Sequence, residues 1–467
     1  MTGTLPALLT ETAHRHGDRP FLVPPQGDPV TFGAVVRRAE AVSRALVAQG
    51  VRPGEIVGLR SPNRPEWAVA FFGILGAGAS VLPLDPHLTT GELANALAQF
   101  GCRRVLSEEV LEPSGGAGVT LPPVGSGDLA VLIASSGTTG KPKGVMLSHA
   151  NLLANLAQFR GAIPIGPDDA FLAYLPLHHV FPLLGGLLAA VACGGRTLFV
   201  DGMRPPALVQ AMVAGGASYA LVVPGVLRLL ARLVEREGGP AALGPALKAV
   251  IVGGAPCPLA TLEACERLGL PVLQGYGMSE TSPVISLNTF EANRPGTVGR
   301  PVPGLEVRIE GSGEGEIRVK GPNVMMGYYG DPARTAEVLR DGWLSTGDVG
   351  ALDAEGFLSI RGRAKNVIIS ESGKNVYPEE IEAELAKSEL LKECCVLGRV
   401  VDGSERIVAV VVPQAPMPQA ALEAEVKARC AALAEYKRVQ EVRVWEGELP
   451  KTAAGKVKVA AVREALG

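Results

Sequence analysis

Short apolar segments with strand character alternate with helical segments through the first 290 residues. Thr31 can cap a first helix, and Gly50 can end it. The strand–helix order then recurs at Glu55–Arg60 and Pro65–Gly76, Ala220–Val223 and Gly225–Glu235, and Leu247–Val252 and Leu259–Leu268, with Val272–Gln274 as a further strand. Short apolar strands separated by helices are typical of parallel sheets covered on both faces. The pattern therefore predicts an α/β fold with mostly parallel sheets.

The pattern changes after about residue 296, and at 467 residues the chain is too long for one ordinary core. Glu306–Glu310 and Glu316–Lys320 flank a Gly-rich turn and predict a hairpin in a small, β-barrel-like part. The last hundred residues predict a smaller α+β unit. Its elements are a helix from Pro378, strands Cys394–Arg399 and Arg406–Val412, a helix Gln419–Tyr436, a strand Glu441–Trp445 and a terminal helix.

Composition excludes several classes of protein. The net charge is −3, which gives no electrostatic case for nucleic acid. Seven cysteines without a Cys-x-x-Cys pair indicate reduced thiols, so we expect a cytoplasmic protein. The apolar stretches Trp67–Leu84 and Val180–Gly195 are interrupted or short, and they predict buried helices, not integral membrane segments. A homodimer is left open.

One polar turn carries most of the chemistry. After the apolar strand Ala130–Ala134 come hydroxyls, glycines and two lysines, namely Ser135, Ser136, Gly137, Thr138, Thr139, Gly140, Lys141 and Lys143. Such a concentration of backbone N–H groups, hydroxyls and cations suits the phosphates of a nucleotide. It is not the usual Gly-x4-Gly-Lys-Ser/Thr loop, since Lys143 leads into a second apolar run. A flexible Ser/Gly linker is the alternative.

Two further turns follow predicted strands directly, at Gly253-Gly254-Ala255-Pro256 and Gly275-Tyr276-Gly277. Ligands of α/β sheets bind at the carboxyl ends of the strands. We therefore expect the three turns to share one edge of one sheet and to form a single site there.

With these turns in place, the chain resembles the adenylate-forming enzymes, the group that contains acyl-CoA synthetases, adenylation domains of peptide synthetases and firefly luciferase. The likeness spans nearly the whole chain. Six motifs match in the family's order: the polar turn, Leu175–His179, Gln274–Thr281, Ser345–Asp348, Arg361–Lys365 and Leu449–Lys456. The resemblance implies an ATP- and acid-binding domain over residues 1–362 and a mobile domain over 363–467, with Lys365 as the hinge.

The resemblance also implies how the cofactors are held. Glu280 is the expected Mg²⁺ ligand, Ser279 contacts the α-phosphate, and Tyr276 stacks on adenine. Asp348 and Arg363 are the expected ribose contacts. The main chain of Gly254, Ala255 and Pro256 is expected to pass close to the other side of the base. The remaining nucleotide contacts belong to the adenine and magnesium segment, at Gln274, Gly275, Gly277 and Met278. An exposed helix-start glutamate and an ordinary turn aspartate remain the alternatives for Glu280 and Asp348.

The implied reaction joins a carboxylate to the α-phosphorus of ATP, so two anions must approach each other. Lys456 is the cation expected to bridge them, and a solvated lysine is its alternative. His179 is expected to gate the acid pocket, although a buried core histidine remains open for His178 or His179. In the second reaction coenzyme A attacks the acyl-adenylate, and Gly373 would leave room for its pantetheine arm.

The sequence favours a medium- or long-chain fatty acid, since Phe181–Gly195 could line an alkyl pocket. Three alternatives stay open: an aryl acid, delivery to a carrier-protein phosphopantetheine, and a nucleotide-binding regulator without catalysis. Asn366 stands where an acidic residue usually follows the hinge lysine, which leaves contacts of the C-terminal domain open.

Overall fold

The computed structural model describes residues 3–135, 143–202, 204–311, 313–369, 374–401, 404–451 and 457–466. The chain divides into two compact units. Unit 1 comprises residues 1–254, 261–307 and 319–344, and unit 2 comprises residues 255–260, 308–318 and 345–467.

The helices recur between strands, as the alternating pattern predicts. In chain order they are α1 Leu5–His16, α2 Phe32–Ala48, α3 Pro65–Gly76, α4 Thr90–Gln99, α5 His149–Ala162, α6 Val180–Pro182, α7 Ala189–Cys193, α8 Pro205–Gly215, α9 Pro224–Glu237, α10 Leu259–Arg267, α11 Pro332–Val338, α12 Pro378–Leu385, α13 Gln419–Arg429 and α14 Val459–Leu466. A π-helical segment, Leu183–Leu188, joins α6 to α7. Within the described ranges, no helix is long and apolar enough to span a membrane.

The strands are short, and most of those in unit 1 have four to six residues. In chain order they are β1 Pro20–Val23, β2 Val30–Thr31, β3 Ile56–Arg60, β4 Ser80–Leu84, β5 Arg104–Ser107, β6 Leu129–Ser135, β7 Lys143–Ser148, β8 Ala170–Ala173, β9 Arg196–Phe199, β10 Tyr219–Val222, β11 Ala249–Val252, β12 Val272–Gly277, β13 Val284–Leu287, β14 Arg300–Pro301, β15 Glu306–Glu310, β16 Gly315–Lys320, β17 Gly327–Tyr328, β18 Leu339–Arg340, β19 Trp343–Leu352, β20 Leu358–Arg363, β21 Ile368–Ile369, β22 Asn375–Val376, β23 Leu391–Val401, β24 Ser404–Pro413 and β25 Glu441–Val444.

Unit 1 contains two large sheets. The nine-stranded sheet has the order β14-β13-β12-β11-β10-β8-β9-β1-β2, and its central strands run parallel. The six-stranded sheet has the order β17-β7-β6-β4-β3-β5; β3, β4, β5 and β6 are parallel, whereas β7 and β17 are antiparallel. The prediction of mostly parallel sheets is confirmed.

Close helix packing shows why small residues recur in the first helices. Thr31 caps α2 by accepting a hydrogen bond from the Ala34 N–H. A methyl group added to Gly73 of α3 would overlap Val42 of α2, and the Ser43 hydroxyl donates to the Gly73 carbonyl at 2.8 Å. A larger side chain at position 73 would therefore separate the two helices.

The predicted β-rich part is a five-stranded sheet with the order β15-β16-β19-β18, in which β20 pairs with β19. Three further strands, β23-β24-β25, form the sheet of the C-terminal residues, and a buried core that includes Ile381, Ile407 and Leu422 packs on it. The predicted helix Gln419–Tyr436 is too long. α13 ends at Arg429. Two 3₁₀ turns follow, Cys430–Ala432 and Glu435–Lys437, and the extended Leu433 lies between them.

Candidate active site

The polar turn lies between two strands of the six-stranded sheet. β6 and β7 pair antiparallel, and Ser135 stands opposite Lys143 at the end of the pair where the polar turn connects the two strands. The predicted phosphate contacts Ser136, Gly137, Thr138, Thr139, Gly140 and Lys141 lie outside the described residues. Of the predicted cations in this turn, Lys143 is therefore the one whose surroundings are described.

The expectation that the three turns share one edge of one sheet is wrong. β6 belongs to the six-stranded sheet, whereas β11 and β12, which precede the other two turns, are neighbours in the nine-stranded sheet. An apolar strand signal reports burial but not the sheet in which the strand pairs, so the sequence could not separate the two sheets.

Glu280 follows β12 in the 3₁₀ turn Ser279–Thr281, and its side chain is buried, with the residue only 8% exposed. The alternative of an exposed glutamate is thereby removed. The Glu280 carbonyl accepts a hydrogen bond from the Met325 N–H at 2.8 Å. The neighbouring Asn323 amide donates to the Thr281 carbonyl at 2.8 Å. These bonds fix the backbone of the turn that carries the carboxylate.

Tyr328, which no motif in the sequence marks, contacts both Glu280 and Lys143 at the end of the polar turn. The Tyr328 hydroxyl donates to Oε1 of Glu280 at 2.9 Å, and Tyr328 is 5% exposed. The Lys143 ammonium lies over the Tyr328 ring, 5.0 Å from its centroid. The strand pairing of Tyr328 with Val145 of β7 places it beside Lys143. In the sequence Tyr328 stands in an unremarkable Gly-Tyr-Tyr-Gly, so only the pairing identifies it.

The predicted adenine segment forms the end of β12. Tyr276 pairs with Ser286 of β13, and a side chain at Gly277 would overlap the Pro283 carbonyl. The Met278 N–H donates to that carbonyl at 3.0 Å. Gly254 has φ +79°, a left-handed conformation that favours glycine. The chain can therefore turn sharply after β11.

Gln274 borders a cavity of about 210 Å³ in unit 1. Its carbonyl accepts the Asn288 N–H at 2.9 Å, while its side-chain Oε1 is buried without a hydrogen-bond partner among the described residues. Leu262, Glu266, Asn288 and Asn293 also line this cavity. A buried acceptor without a partner is suited to a ligand N–H.

The two predicted acid-pocket histidines lie together. The His178 and His179 ring centroids are 4.4 Å apart. Burial, with His179 as a second cause, lowers the pKa of His178 to about 4, so His178 is neutral at pH 7. After them in the chain, the segment from Leu183 to Cys193 is buried and apolar. The ring of Phe181 would contact a side chain added at Gly253, the residue that follows β11.

Asp348 and Arg363, the predicted ribose contacts, are brought together in unit 2. They are opposite residues of β19 and β20, and Arg363 Nε donates to Asp348 Oδ1 at 2.7 Å. The Asp348 N–H donates to the Thr346 hydroxyl at 3.1 Å, which fixes the strand at the carboxylate. Asp348 is 4% exposed, so it is not an ordinary surface turn residue.

The predicted hinge Lys365 lies in the 3₁₀ turn Ala364–Asn366 directly after β20. Glu379 at the start of α12 accepts the Arg363 N–H at 3.3 Å. Burial raises the pKa of Glu379, and hydrogen bonds from the Arg363 N–H and the Asn366 side chain oppose that rise. An acidic residue at position 366 would face Glu379, which explains why the neutral Asn366 suits this chain.

Lys456 and Gly373 lie outside the described residues, but the base of the Lys456 loop is described. Lys451 and Val457 form an isolated antiparallel bridge, and the Lys458 N–H donates to the Pro450 carbonyl at 2.7 Å. Glu393 of β23 holds one side of this base. Its Oε1 accepts the Lys451 ammonium at 2.6 Å, and its Oε2 accepts the Leu449 N–H at 3.0 Å. No motif in the sequence points to Glu393.

Comparisons with known proteins cover both units. The AMP-binding enzyme family model matches residues 9–329, and the AMP-binding enzyme C-terminal domain model matches residues 380–456. Feruloyl-CoA synthase of an Amycolatopsis species is 33% identical, with 98% of this chain and 96% of the relative covered. Long-chain-fatty-acid–CoA ligase of Yersinia pestis is 30% identical over 96% of this chain and 92% of the relative.

Among solved structures, O-succinylbenzoate coenzyme A synthetase from Bacillus subtilis, in complex with ATP and magnesium ion, has a TM-score of 0.87. It is 27% identical, and the likeness covers 97% of this chain and 98% of that one. The mixed α/β fold is confirmed by this match. The AMP-binding enzyme model matches more than two thirds of the sequence, and the solved structure matches nearly the whole chain. The chain therefore belongs to the AMP-binding enzyme family.

Proposed function

We propose that this protein is an ATP-dependent acid–CoA ligase. A carboxylate attacks the α-phosphorus of ATP and expels pyrophosphate, and the thiol of coenzyme A then displaces AMP from the acyl-adenylate. The observation that carries the proposal is the buried Glu280 carboxylate, linked through Tyr328 to Lys143 at the end of the polar turn. An anion-binding cation and a hard-cation ligand are thereby held close together in unit 1.

The named relatives support the reaction class. They act on feruloyl and long-chain fatty acyl groups as CoA ligases, and the solved relative was crystallised with ATP and magnesium ion. Lysine and glutamate together suit Mg²⁺-ATP. The lysine ammonium can bind phosphate oxygens, and the glutamate carboxylate can bind the Mg²⁺ that accompanies them.

The described donor set fits Mg²⁺ delivered with ATP. Mg²⁺ in such sites takes one or two carboxylates together with substrate phosphate oxygens. Glu280 offers one buried carboxylate, and the described ranges contain no group of three or more His, Cys, Asp or Glu that could hold a metal. When bound, the metal would neutralise charge on the phosphates, and Glu280 is the residue that would hold it.

The remaining roles belong to individual side chains. Lys456 would bridge the substrate carboxylate and the α-phosphate, and the Ser279 hydroxyl would donate to the same phosphate. Asp348 would accept the ribose hydroxyls, with Arg363 beside it as a second contact. Together these groups orient ATP and cancel the repulsion between the two reacting anions.

For the second reaction we keep the predicted division at residues 362 and 363, with Lys365 as the hinge and Gly373 beside the pantetheine arm. The start of the C-terminal family match at residue 380 supports a separate C-terminal domain. The seven free cysteines support a reducing compartment, such as the cytoplasm.

We infer that the acid has an apolar body and favour a medium- or long-chain fatty acid. The buried apolar segment Leu183–Cys193, which follows His179 in the chain, supports this choice. The neutral His178 adds no positive charge to the pocket at pH 7. Aryl acids are the competing substrates, as the feruloyl-CoA relative indicates.

The test is a substrate panel with ATP, Mg²⁺ and coenzyme A, in which AMP and acyl-CoA are measured by mass spectrometry. The panel contains straight-chain fatty acids of increasing length, hydroxycinnamic acids and succinylbenzoate. We expect equal amounts of AMP and acyl-CoA with a fatty acid. Preference for a hydroxycinnamic acid would show that the proposed fatty-acid substrate is wrong, and the proposed ligase reaction would stand. Failure of every acid, with both coenzyme A and a holo-carrier protein as acceptors, would contradict the proposed function.

A further inference from the structure

We propose that Tyr328 is a positioning residue for Mg²⁺-ATP: its hydroxyl fixes the Glu280 carboxylate, and its ring fixes the Lys143 ammonium. The proposal deepens the proposed function and rests on it, because it assumes that Glu280 meets the metal and Lys143 the phosphates. Tyr328 itself touches neither in this scheme.

The hydroxyl end of Tyr328 determines the orientation of Glu280. The bond from the hydroxyl to Oε1 is 2.9 Å long, and both side chains are buried. A buried carboxylate bound at one oxygen cannot rotate freely, so Oε2 is presented in one direction. Carboxylates that ligate metals are commonly held by such a second hydrogen bond, and its loss typically weakens metal binding by roughly 10–100-fold.

Two cationic side chains lie near the ring of Tyr328. Lys143 Nζ lies 5.0 Å from the ring centroid, and Arg334 Cζ lies 5.9 Å from it. Attraction between a cation and an aromatic face restrains a flexible lysine without neutralising it. The ring of Tyr328 therefore restricts the position of the Lys143 ammonium.

The backbone of Tyr328 is rigid enough for this task. β17 pairs with β7, the strand that begins with Lys143, so the ring and the ammonium are carried by adjacent strands. The Tyr328 N–H donates to the Thr335 hydroxyl at 2.8 Å, and that hydroxyl donates to the Asp331 carbonyl at 2.8 Å. On the other side, the Met325 N–H binds the Glu280 carbonyl.

The experiment measures ATP affinity by calorimetry over a series of Mg²⁺ concentrations, without any acid, so that no turnover is needed. Tyr328→Phe removes the hydroxyl and keeps the ring. We expect it to need at least about tenfold more Mg²⁺ for the half-maximal gain in ATP affinity. Its metal-free ATP affinity should stay within about twofold of the wild type. Tyr328→Leu, which also removes the ring beneath Lys143, should lose metal-free ATP affinity as well.

The neighbouring Tyr329 supplies the matched control. Its ring packs edge-on against Phe100, with centroids 6.1 Å apart, and it is 36% exposed. Tyr329→Phe should bind Mg²⁺-ATP like the wild type. Adenosine binding by every variant reports on the nucleoside pocket, and its loss in Tyr328→Phe would overturn the proposal, because a positioning role leaves that pocket intact.

Glu280→Gln separates the inference from the proposed function. If Glu280→Gln loses the Mg²⁺ dependence and Tyr328→Phe keeps it, the inference is wrong and the proposed function stands. If Glu280→Gln itself keeps the wild-type Mg²⁺ dependence, the role of Glu280 in the proposed function is wrong. If Tyr328→Leu and Tyr328→Phe have the same ATP affinity in the absence of metal, the ring does not position Lys143.

Discussion

Arg363 and Asp348 lie opposite each other on two antiparallel strands, and the arginine Nε donates to the aspartate Oδ1 at 2.7 Å. The aspartate is almost fully buried, while the arginine side chain is 41% exposed. The pair is therefore a fixed carboxylate beside a more accessible cation. That arrangement suits two adjacent hydroxyls, which need acceptors held in one orientation.

We predict that Asp348→Asn raises the KM for ATP by about 10- to 100-fold, because charge-assisted hydrogen bonds to the ribose are lost. The ribose does not react, so kcat should fall less than KM rises. Steady-state kinetics over ATP concentration measure both constants. Asp341→Asn, on an exposed turn between β18 and β19, is the control and should behave like the wild type. An unchanged KM in Asp348→Asn would contradict the role in ATP binding.

Lys456→Ala should remove the formation of acyl-adenylate and keep thioester formation from acyl-adenylate supplied ready-made. The reason is that the ammonium offsets repulsion between carboxylate and phosphate, and that repulsion is absent once the two are joined. We expect a loss of at least about a hundredfold in the first half-reaction, comparable to removal of one electrostatic contact in a transition state. Lys458→Ala, two residues away, is the control. Equal losses in both half-reactions would contradict the assignment.

Glu393→Gln should slow adenylation by about tenfold, because it weakens the charge-assisted bond to Lys451 at the base of the Lys456 loop. Thioester formation from supplied acyl-adenylate should change little. Rapid-quench measurements of each half-reaction make the comparison. The adjacent Lys392→Gln breaks an exposed ion pair with Glu448 and should leave both rates unchanged. A general loss of both half-reactions in Glu393→Gln would show that Glu393 only supports the fold.

The stability of unit 1 should fall on the acid side of neutrality, partly through His149. Burial lowers the pKa of His149 to about 4, and its Nδ1 accepts the Leu5 N–H at 3.2 Å. The unfolded chain binds a proton near its ordinary pKa of 6.5, so the native state loses stability as the pH falls from 6.5 towards 4. The upper limit of this effect is about 3 kcal/mol.

Denaturant unfolding measured from about pH 7 to about pH 4.5 checks this prediction. His149→Gln, whose side-chain oxygen can also accept the Leu5 N–H, should be less sensitive to acid than the wild type. His14→Gln changes an exposed histidine of α1 and should keep the wild-type acid sensitivity. An identical pH dependence in His149→Gln would contradict the contribution of His149.

Local patterns predicted much of the fold. Helix capping at Thr31, the apolar strands and the switch to hairpins after residue 296 are all found, because each depends on neighbours in the sequence. The assignment of β6 to the same sheet as β11 and β12 was wrong, since strand pairing depends on distant partners. The end of α13 was missed because a continuous apolar and charged pattern also fits 3₁₀ turns.

The residues of the candidate site were also only partly predictable from the sequence. Glu280, Asp348 and Arg363 could be named from their motifs, and the structure adds that Glu280 and Asp348 are buried and that Arg363 pairs with Asp348. Tyr328 and Glu393 could not be named, because only contacts with residues distant in the sequence distinguish them: Tyr328 contacts Glu280 and Lys143, and Glu393 contacts Leu449 and Lys451. Supporting residues of this kind carry no local pattern.

We propose that this protein joins an acid to AMP before any thiol is involved. Exchange of labelled pyrophosphate into ATP, measured without coenzyme A across the acid panel, is the decisive measurement. We expect exchange that requires both a carboxylic acid and Mg²⁺ and that disappears in Glu280→Gln. Exchange without any acid, or none with any acid although ATP binds, would contradict it.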